Sequence, residues 1–290
     1  MSCFVRRCLT AMIFSTVCCM ISTPANAGLY DATVLADNPV GYWRLGEAAG
    51  GTTVDNLGSV GAAGDGTVLN GVTLGVPGAI ASDNDTAATF VQGPTQKIDV
   101  PFDAGLNPGP NFSMEVWARV TGGTGHRSPL TSRGDFPQEG FIFYANPGNV
   151  WQFWTGSGQQ VGWQVITGTP VVNDEWAHLV GTYDGDTQRF YINGQEVGNA
   201  LVGQGFGPND AEPLRIGGGA TEGNGNFFFE GDIDEVAVYD TALSPERVLA
   251  HYEAGINPIP EPSTLVLSFL GLIGLLATRR RRTARSAAGR

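Results

Sequence analysis

Beyond its first 27 residues this chain has no cysteine. All four (Cys3, Cys8, Cys18 and Cys19) fall within residues 1–27, which read as a secretory signal. Arg6-Arg7 is a basic start, Leu9 to Ile21 an apolar middle, and Ala25-Asn26-Ala27 a small-x-small cleavage site set by Ala25 and Ala27. From Gly28 onward there is no thiol, which excludes a disulfide framework, a cysteine metal site and thiol catalysis. Stability has to come from core burial, with a bound metal as an available supplement. Histidine is nearly as scarce, at three. His126 lies in a polar stretch, His178 inside a strand pattern and His251 on a helix pattern. No two of them have zinc-site spacing, and no nucleophile-elbow motif accompanies any.

Positive charge is also short. Between Gly28 and Pro258 the chain carries 27 acidic and 8 basic side chains, an excess of 19 negative charges against a whole-chain balance of −12. That argues against nucleic-acid binding, which needs a positive footprint. It suits solubility, divalent cations and neutral partners. There is no repeat at the spacing of solenoids or propellers.

What the chain does have is glycine, 42 residues of it, set between short alternating runs. Glu175 to Gly194 is the clearest stretch. Trp176, His178, Val180 and Thr182 would face one side of a strand, and Ala177, Leu179, Gly181 and Tyr183 the other. Asp184-Gly185-Asp186 reverses the chain, Arg189 to Asn193 returns, and Asn193-Gly194 makes a second hairpin turn. Phe112 to Val120 alternates an apolar face (Phe112, Met114, Val116, Ala118, Val120) with a mixed one (Ser113, Glu115, Trp117, Arg119). Val68 to Val76, Ala87 to Phe90, Lys97 to Val100, Phe141 to Ala145, Val150 to Trp154, Gly162 to Ile166, Leu214 to Gly217 and Phe227 to Tyr239 read as further strands. Gly122 to Gly140 reads as a long polar loop. One helix is expected. Ser244 caps it, Pro245 opens it, Val248, Leu249 and Tyr252 form its stripe, and Gly255 stops it. The pattern is that of an all-β sandwich or jelly roll.

Taken together, Trp43-Arg44-Leu45, FSMEVWARV, EWAHLVGTYDGDTQRFYING, LRIGGG and GDIDEVAVYDTALSPERVLAHY resemble the laminin-G-like branch of the concanavalin A-like lectin/glucanase jelly rolls. The resemblance implies an all-β, two-sheet antiparallel jelly-roll sandwich over 28–257 with one short C-terminal helix. It also implies carbohydrate binding or adhesion and, in many members, one structural calcium. Residues 258–290 resemble a PEP-CTERM sorting signal. Pro260-Glu261-Pro262 precedes an apolar run closed by Arg279, Arg280, Arg281 and Arg282. That resemblance implies a transient transmembrane segment over 264–278 and processing by an exosortase-type membrane protease. It also implies a surface or extracellular-matrix location in a Gram-negative-type bacterium. The segment is short against a ~30 Å hydrocarbon core, and its arginines should stay cytoplasmic.

Three chemistries compete for the polar and aromatic residues. Glu230-Gly231-Asp232-Ile233-Asp234-Glu235 has the E-x-D-x-x-E spacing of laminarinase-type glucanases. Alternation puts Glu230, Asp232 and Asp234 on one face, with Glu235 joining only through a bulge, and Gly231 and Asp234 depart from the enzyme pattern. Catalysis is therefore not expected. Asp234 is better read as a calcium ligand, with Asp55 and Asn56 of the N-terminal Gly-rich loop as partners. For a glycan the candidates are aromatic: Trp151 and Phe153 share one strand face and Trp154 takes the other, and alternation leaves open which set is core. His126, Arg133, Asp135, Trp154 and Trp163 are the expected ligand rim for a polysaccharide or glycoconjugate. The alternative is protein adhesion through exposed strand edges.

Overall fold

The computed structural model describes residues 29–81, 83–159, 162–201, 205–219 and 226–257. The expected signal at 1–27 and the tail from 258, with its sorting motif and transmembrane segment, lie outside these residues. Among the described residues no helix is long and apolar enough to cross a membrane.

Sixteen strands and two α-helices are found among the described residues. In chain order they are α1 (Leu29–Leu35), β1 (Gly41–Trp43), β2 (Thr53–Val54), β3 (Gly66–Leu69), β4 (Thr73–Pro77), β5 (Thr86–Phe90), β6 (Lys97–Val100), β7 (Phe112–Val120) and β8 (Leu130–Asp135). Then come β9 (Gln138–Ala145), β10 (Val150–Thr155), β11 (Gln164–Pro170), β12 (Trp176–Tyr183), β13 (Thr187–Ile192), β14 (Gln195–Leu201), β15 (Leu214–Ile216), β16 (Gly231–Tyr239) and α2 (Pro245–Ile256). One sheet runs β14-β13-β12-β7-β16-β5-β4, with β1 also paired to β16; the other runs β11-β10-β9-β8-β15-β6-β3-β2. The named strand pairs are all antiparallel. This is the expected two-sheet sandwich.

Between the sheets lies the main core. Phe112, Met114, Val116, Ala118 and Val120 of β7 meet Phe141, Phe143, Trp151 and Phe153 of the opposite sheet. Gly181 sits where the sheets approach closely, and a Cβ there would come within 2.6 Å of the Phe153 ring. The hairpin from β12 to β13 forms as the alternation requires. Asp184 Oδ1 accepts from the N–H groups of Asp186 and Thr187, and Asn193 (φ 52°) and Gly194 (φ 75°) make the left-handed turn into β14.

The structure departs from the sequence reading in six places, the first being the strand expected at Phe227 to Tyr239, which begins only at Gly231. Residues 68–76 are two strands, β3 and β4, which belong to different sheets. Gly122 to Gly140 contains β8; its alternation is hidden because the inward Ser132 is polar, and that serine is held by Asn107 and by Asn209 at 2.8 Å. The strand expected at Gly162 to Ile166 begins at Gln164 and runs to Pro170. A second helix, α1, precedes β1. Finally, Gly255 does not stop α2 but lies inside it, where the missing side chain makes room for the Trp117 ring; a Cβ would fall 2.5 Å from that ring.

Both helices cover the outer face of the first sheet, so the mixed face of β7 is buried rather than wet. Tyr30, Val34, Val248 and Ala254 pack on Trp117, Val180, Tyr191, Ala237 and Tyr239. At the centre is Glu115, fully buried. Its carboxylate accepts from the hydroxyls of Tyr30 (2.6 Å) and Tyr239 (2.8 Å) and contacts His178 Nε2 (2.7 Å) and His251 Nδ1 (2.9 Å). The far nitrogen of His251 meets Asp37 at 2.7 Å, and Arg247 also binds Asp37. A buried carboxylate at this density of donors is satisfied, as burial demands.

Candidate functional site

Among the described residues, no α-helix lies over the outer face of the second sheet. On β9, Phe141, Phe143 and Ala145 enter the core while Ile142 and Tyr144 point outward. On β10, Trp151 and Phe153 are core, which assigns Trp154 to the outer face. Trp154 pairs with Ile142, and Ile142 with Thr131, so β8, β9 and β10 share one outer side, on which Thr131, Ile142 and Tyr144 are buried and Trp154 is half-buried.

On that surface the aromatic rings converge. His126 lies 5.0 Å from Tyr144, 5.9 Å from Trp154 and 5.7 Å from Phe227, in each case edge-on. Trp163 stands 6.3 Å from Trp154 with the two indoles inclined at 51°. The Arg133 guanidinium lies 5.7 Å from the Trp163 ring and 5.8 Å from Phe227, and it donates to Asp135 at 2.8 Å. The structure thus brings His126, Arg133, Asp135, Trp154 and Trp163 into one patch, with Arg133 and Asp135 on a strand rather than in a loop. Burial pushes the His126 pKa below its ordinary value, which favours the neutral ring.

Neutral polar groups border the rings. The Trp154 indole N–H donates to Gln152 Oε1 at 3.2 Å, and the Gln152 amide donates to Thr167 Oγ1 at 3.1 Å. Gln138 Oε1 accepts from the N–H of Gly162 at 2.8 Å and anchors the segment that carries Trp163. An open pocket of about 430 Å³, lined by Gln92, Thr124, His126, Asn226, Phe227 and Phe228, continues the patch past His126. Phe136, 87% exposed, stands at the β8–β9 turn, next to Asp135 in sequence. Tyr144, Phe227, Gln152 and Phe136 escaped sequence reasoning. Only Tyr144 had a usable signal there, since it alternates with Phe143 on the same strand.

A second cluster lies beside the bulge in β16. The register of β16 against β7 shifts between Asp234 and Ala237, and Glu235 adopts φ 49°, so Glu235 joins the face of Asp234. Carboxylate oxygens of Asp83, Asp85 and Glu235 lie within 4.8 Å of one another. Arg44 binds into them, at 2.8 Å from Asp85 and 3.0 Å from Glu235, with Asp83 also in contact. Asp234 Oδ2 accepts from the N–H of Ala79 at 2.7 Å, but its Oδ1 is buried with no hydrogen-bond partner. Burial, reinforced by Asp85 and Asp83, pushes Asp234 up to about 8 against the Ala79 N–H, which favours the charged form. Asn56 is spent elsewhere: its Oδ1 accepts from the N–H groups of Tyr42 and Gly58, and its amide donates to the Gly61 carbonyl. Asp55 donates its N–H to Glu47, whose second oxygen is likewise buried without a partner. The expected calcium set Asp55, Asn56 and Asp234 is therefore divided: Asn56 holds its own loop, Asp55 binds Glu47, and Asp234 feels the charges of Asp85 and Asp83. Oxygen-only donors with an unpaired buried carboxylate oxygen fit a hard divalent cation.

The E-x-D-x-x-E segment is occupied by structure. Glu235 is fully buried and accepts from Tyr42 and Arg44, while Asp232 binds Arg119 at 2.8 Å and Thr89. Gly231 has φ 146°, and a Cβ there would lie 1.9 Å from the Arg119 carbonyl oxygen.

Comparison with known proteins agrees with the architecture. No curated protein matches the chain in sequence. Among solved structures, the binding domain of Paraclostridial Mosquitocidal Protein 1 is similar at 15% identity and a TM-score of 0.59, over 76% of this chain and 53% of that one. The botulinum neurotoxin serotype D binding domain is similar at 11% identity and a TM-score of 0.57, over 75% of this chain and 52% of that one. The chain therefore spans about half the length of these toxin domains. Domain 4 of AbnA, a GH43 extracellular arabinanase from Geobacillus stearothermophilus solved in complex with arabinotriose, is similar at 19% identity and a TM-score of 0.54, over 74% of this chain and 98% of that one. At these identities the likeness is one of fold. Two family models match directly, the concanavalin A-like lectin/glucanases superfamily at residues 92–249 and the PEP-CTERM protein-sorting motif at 258–282. The chain belongs to the concanavalin A-like lectin/glucanases superfamily and carries a PEP-CTERM sorting motif, which marks it for export and processing at the cell envelope.

Proposed function

We propose that this is a non-catalytic glycan-binding protein of the cell surface or extracellular matrix, which holds polysaccharide on the outer face of β8, β9 and β10. The observation that carries this reading is the meeting of Trp154, Trp163, His126 and Phe227 beside Arg133 and Asp135 on the outer side of the second sheet, where the two indoles stay half-buried. Sugar rings stack on such faces while rim amides and carboxylates take their hydroxyls. The complex of the AbnA domain with arabinotriose supports the reading by fold analogy. Binding without hydrolysis is supported by the burial of Glu235 and the ion pair of Asp232, which leave the E-x-D-x-x-E carboxylates engaged. In the host, a Gram-negative-type bacterium, an exosortase-type protease would cut the tag after a transient membrane stop. Retention of the purified protein on polysaccharide columns tests the binding. Trp154→Ala should weaken retention about tenfold while the melting temperature holds, and equal retention rejects the site. Reducing-sugar release by the wild type but not by Glu230→Gln would reject the non-catalytic part.

A structural calcium is the second part of the proposal, carried by the unpaired Asp234 Oδ1. Asp83, Asp85 and Glu235 would hold the ion, with Asp234 beside Ala79 completing the set from β16 and tying it to the 77–85 segment. Excess calcium should raise the melting temperature and a chelator lower it. Asp234→Asn should remove the difference, and an identical melt in calcium and chelator sinks the idea.

A further inference from the structure

On the glycan-binding reading of the aromatic face, we propose that the ligand is an uncharged, soluble polysaccharide whose successive residues turn relative to one another, and that flat crystalline ribbons and polyanionic glycans are refused.

Two sets of observations carry this. The first is geometric. A flat ribbon such as cellulose or chitin presents its ring faces in one plane and needs coplanar stacking partners. Trp154 and Trp163 are inclined at 51° with their centroids 6.3 Å apart, so both cannot lie flat against one plane. His126 then stands at 83° to Trp154 and closes the inner end as a wall. Inclined indoles at this spacing meet adjacent sugars of a chain that twists or coils. Each half-buried indole offers a ring face only a residue or two long, which suits a single chain rather than a crystal surface.

The second is electrostatic. Arg133 is the one cation placed among these rings by the described contacts; it is 5% exposed, flanked by Trp163 and Phe227, and bonded to Asp135. It spaces the rings, and its charge is already engaged rather than open to an incoming carboxylate or sulfate. The groups that border the indoles are amides and a hydroxyl, Gln152, Gln138 and Thr167. Around this neutral island the chain from Gly28 to Pro258 carries 19 excess negative charges, a field that repels polyanions at range. Burial of His126 favours its neutral form and adds no compensating charge.

The test is native affinity electrophoresis and pull-down with the full chain purified in mild detergent. The probes are soluble α-1,4-glucan, β-1,3-glucan and arabinan (neutral, turning), microcrystalline cellulose and chitin (neutral, flat), and alginate and polygalacturonate (anionic). Retention by at least one turning neutral glycan is expected, unchanged between low and high salt because no charge pairing is involved. Trp154→Ala and Trp163→Ala should each weaken it about tenfold, and Trp154→Phe should restore most of the loss. Retention on cellulose, chitin or an anionic glycan as strong as on the turning neutral ones, and equally dependent on the two tryptophans, overturns the ligand class but leaves the site. Retention on none of the probes, or retention indifferent to both tryptophans in variants that melt like the wild type, overturns the glycan reading itself.

Discussion

Glu115→Gln is the sharpest probe of how the helices are held on the sheet. Both ring nitrogens of His251 face carboxylates, Glu115 at 2.9 Å and Asp37 at 2.7 Å, so both must carry protons and the ring is an imidazolium. Burial alone would lower the His251 pKa; the charge of Glu115 and the bonds to Glu115 and Asp37 outweigh it and raise it above its ordinary value. Burial likewise would raise Glu115, but the charge of His251 and the bonds from both histidines hold it well below the usual carboxylate range. A raised histidine contributes stability that is complete below its unfolded pKa and is lost as pH rises through the folded one. A depressed carboxylate contributes stability that is lost as pH falls through its folded pKa. Wild-type stability should therefore have an acid limb set by Glu115 and an alkaline limb set by His251. Glutamine keeps the shape, and its amide can still donate to His178 and accept from Tyr239, but it removes the charge that does most to raise His251. A fully buried ion pair broken on one side costs about 3–5 kcal/mol. Because neutral hydrogen bonds survive and Asp37 remains, about 3 kcal/mol is expected, or roughly 6–12 °C for a domain of this size. Thermal melts from pH 4 to 10 would show the midpoint lowered and the alkaline limb moved toward lower pH. An alkaline limb at the wild-type position, or a midpoint within about 2 °C of wild type, would refute the imidazolium assignment.

Two further substitutions probe backbone and rim. Gly231→Ala forces a side chain onto a residue at φ 146° and within 1.9 Å of the Arg119 carbonyl, at the junction of β16 with β7 and β5; a loss of at least about 4 kcal/mol is expected, and a wild-type-like melt would show that the strand can shift to accept it. Phe136→Ser removes an aromatic that is 87% exposed, so stability should move by no more than about 0.5 kcal/mol, whereas retention on a bound glycan should weaken about threefold if the hairpin tip contacts the ligand.

Much of the sandwich was legible because its strands obey period two. β7 and β12 could be drawn residue by residue, and the turns at Asp184–Asp186 and Asn193–Gly194 carry their own chemistry. Pattern failed where a polar residue faces inward. Ser132 disguised β8 as a loop, and so placed Arg133 and Asp135 in a loop when they stand on a strand. It failed again on α2, where Val248, Leu249 and Tyr252 looked like the buried stripe but His251 lies fully buried beside Val248. No sequence signal announces that a histidine is destined for a carboxylate 136 residues earlier. The aromatic face shows the same limit: Trp154 and Trp163 are conspicuous in the sequence, whereas Phe227 reaches them from a distant loop through Tyr144 and His126.

The two outer faces of the sandwich have been put to opposite uses. On one, α1 and α2 bury Glu115, His178, Trp117 and Tyr239, and α2 ends at Ile256, immediately before the sorting motif at 258–282. On the other, Trp154 and Trp163 stay half-buried, with no helix over them among the described residues. The last described residues therefore lie on the helix-covered side. The last turn of α2 is fixed there by packing of Gly255 against Trp117 and by the bond from the Ala81 N–H to the Gly255 carbonyl. That bond comes from the same segment whose Ala79 N–H holds Asp234 and which contributes Asp83 and Asp85. The carboxylate cluster and the end of α2 are thus joined through one segment behind the first sheet, on the opposite side of the sandwich from the aromatic patch of the second sheet.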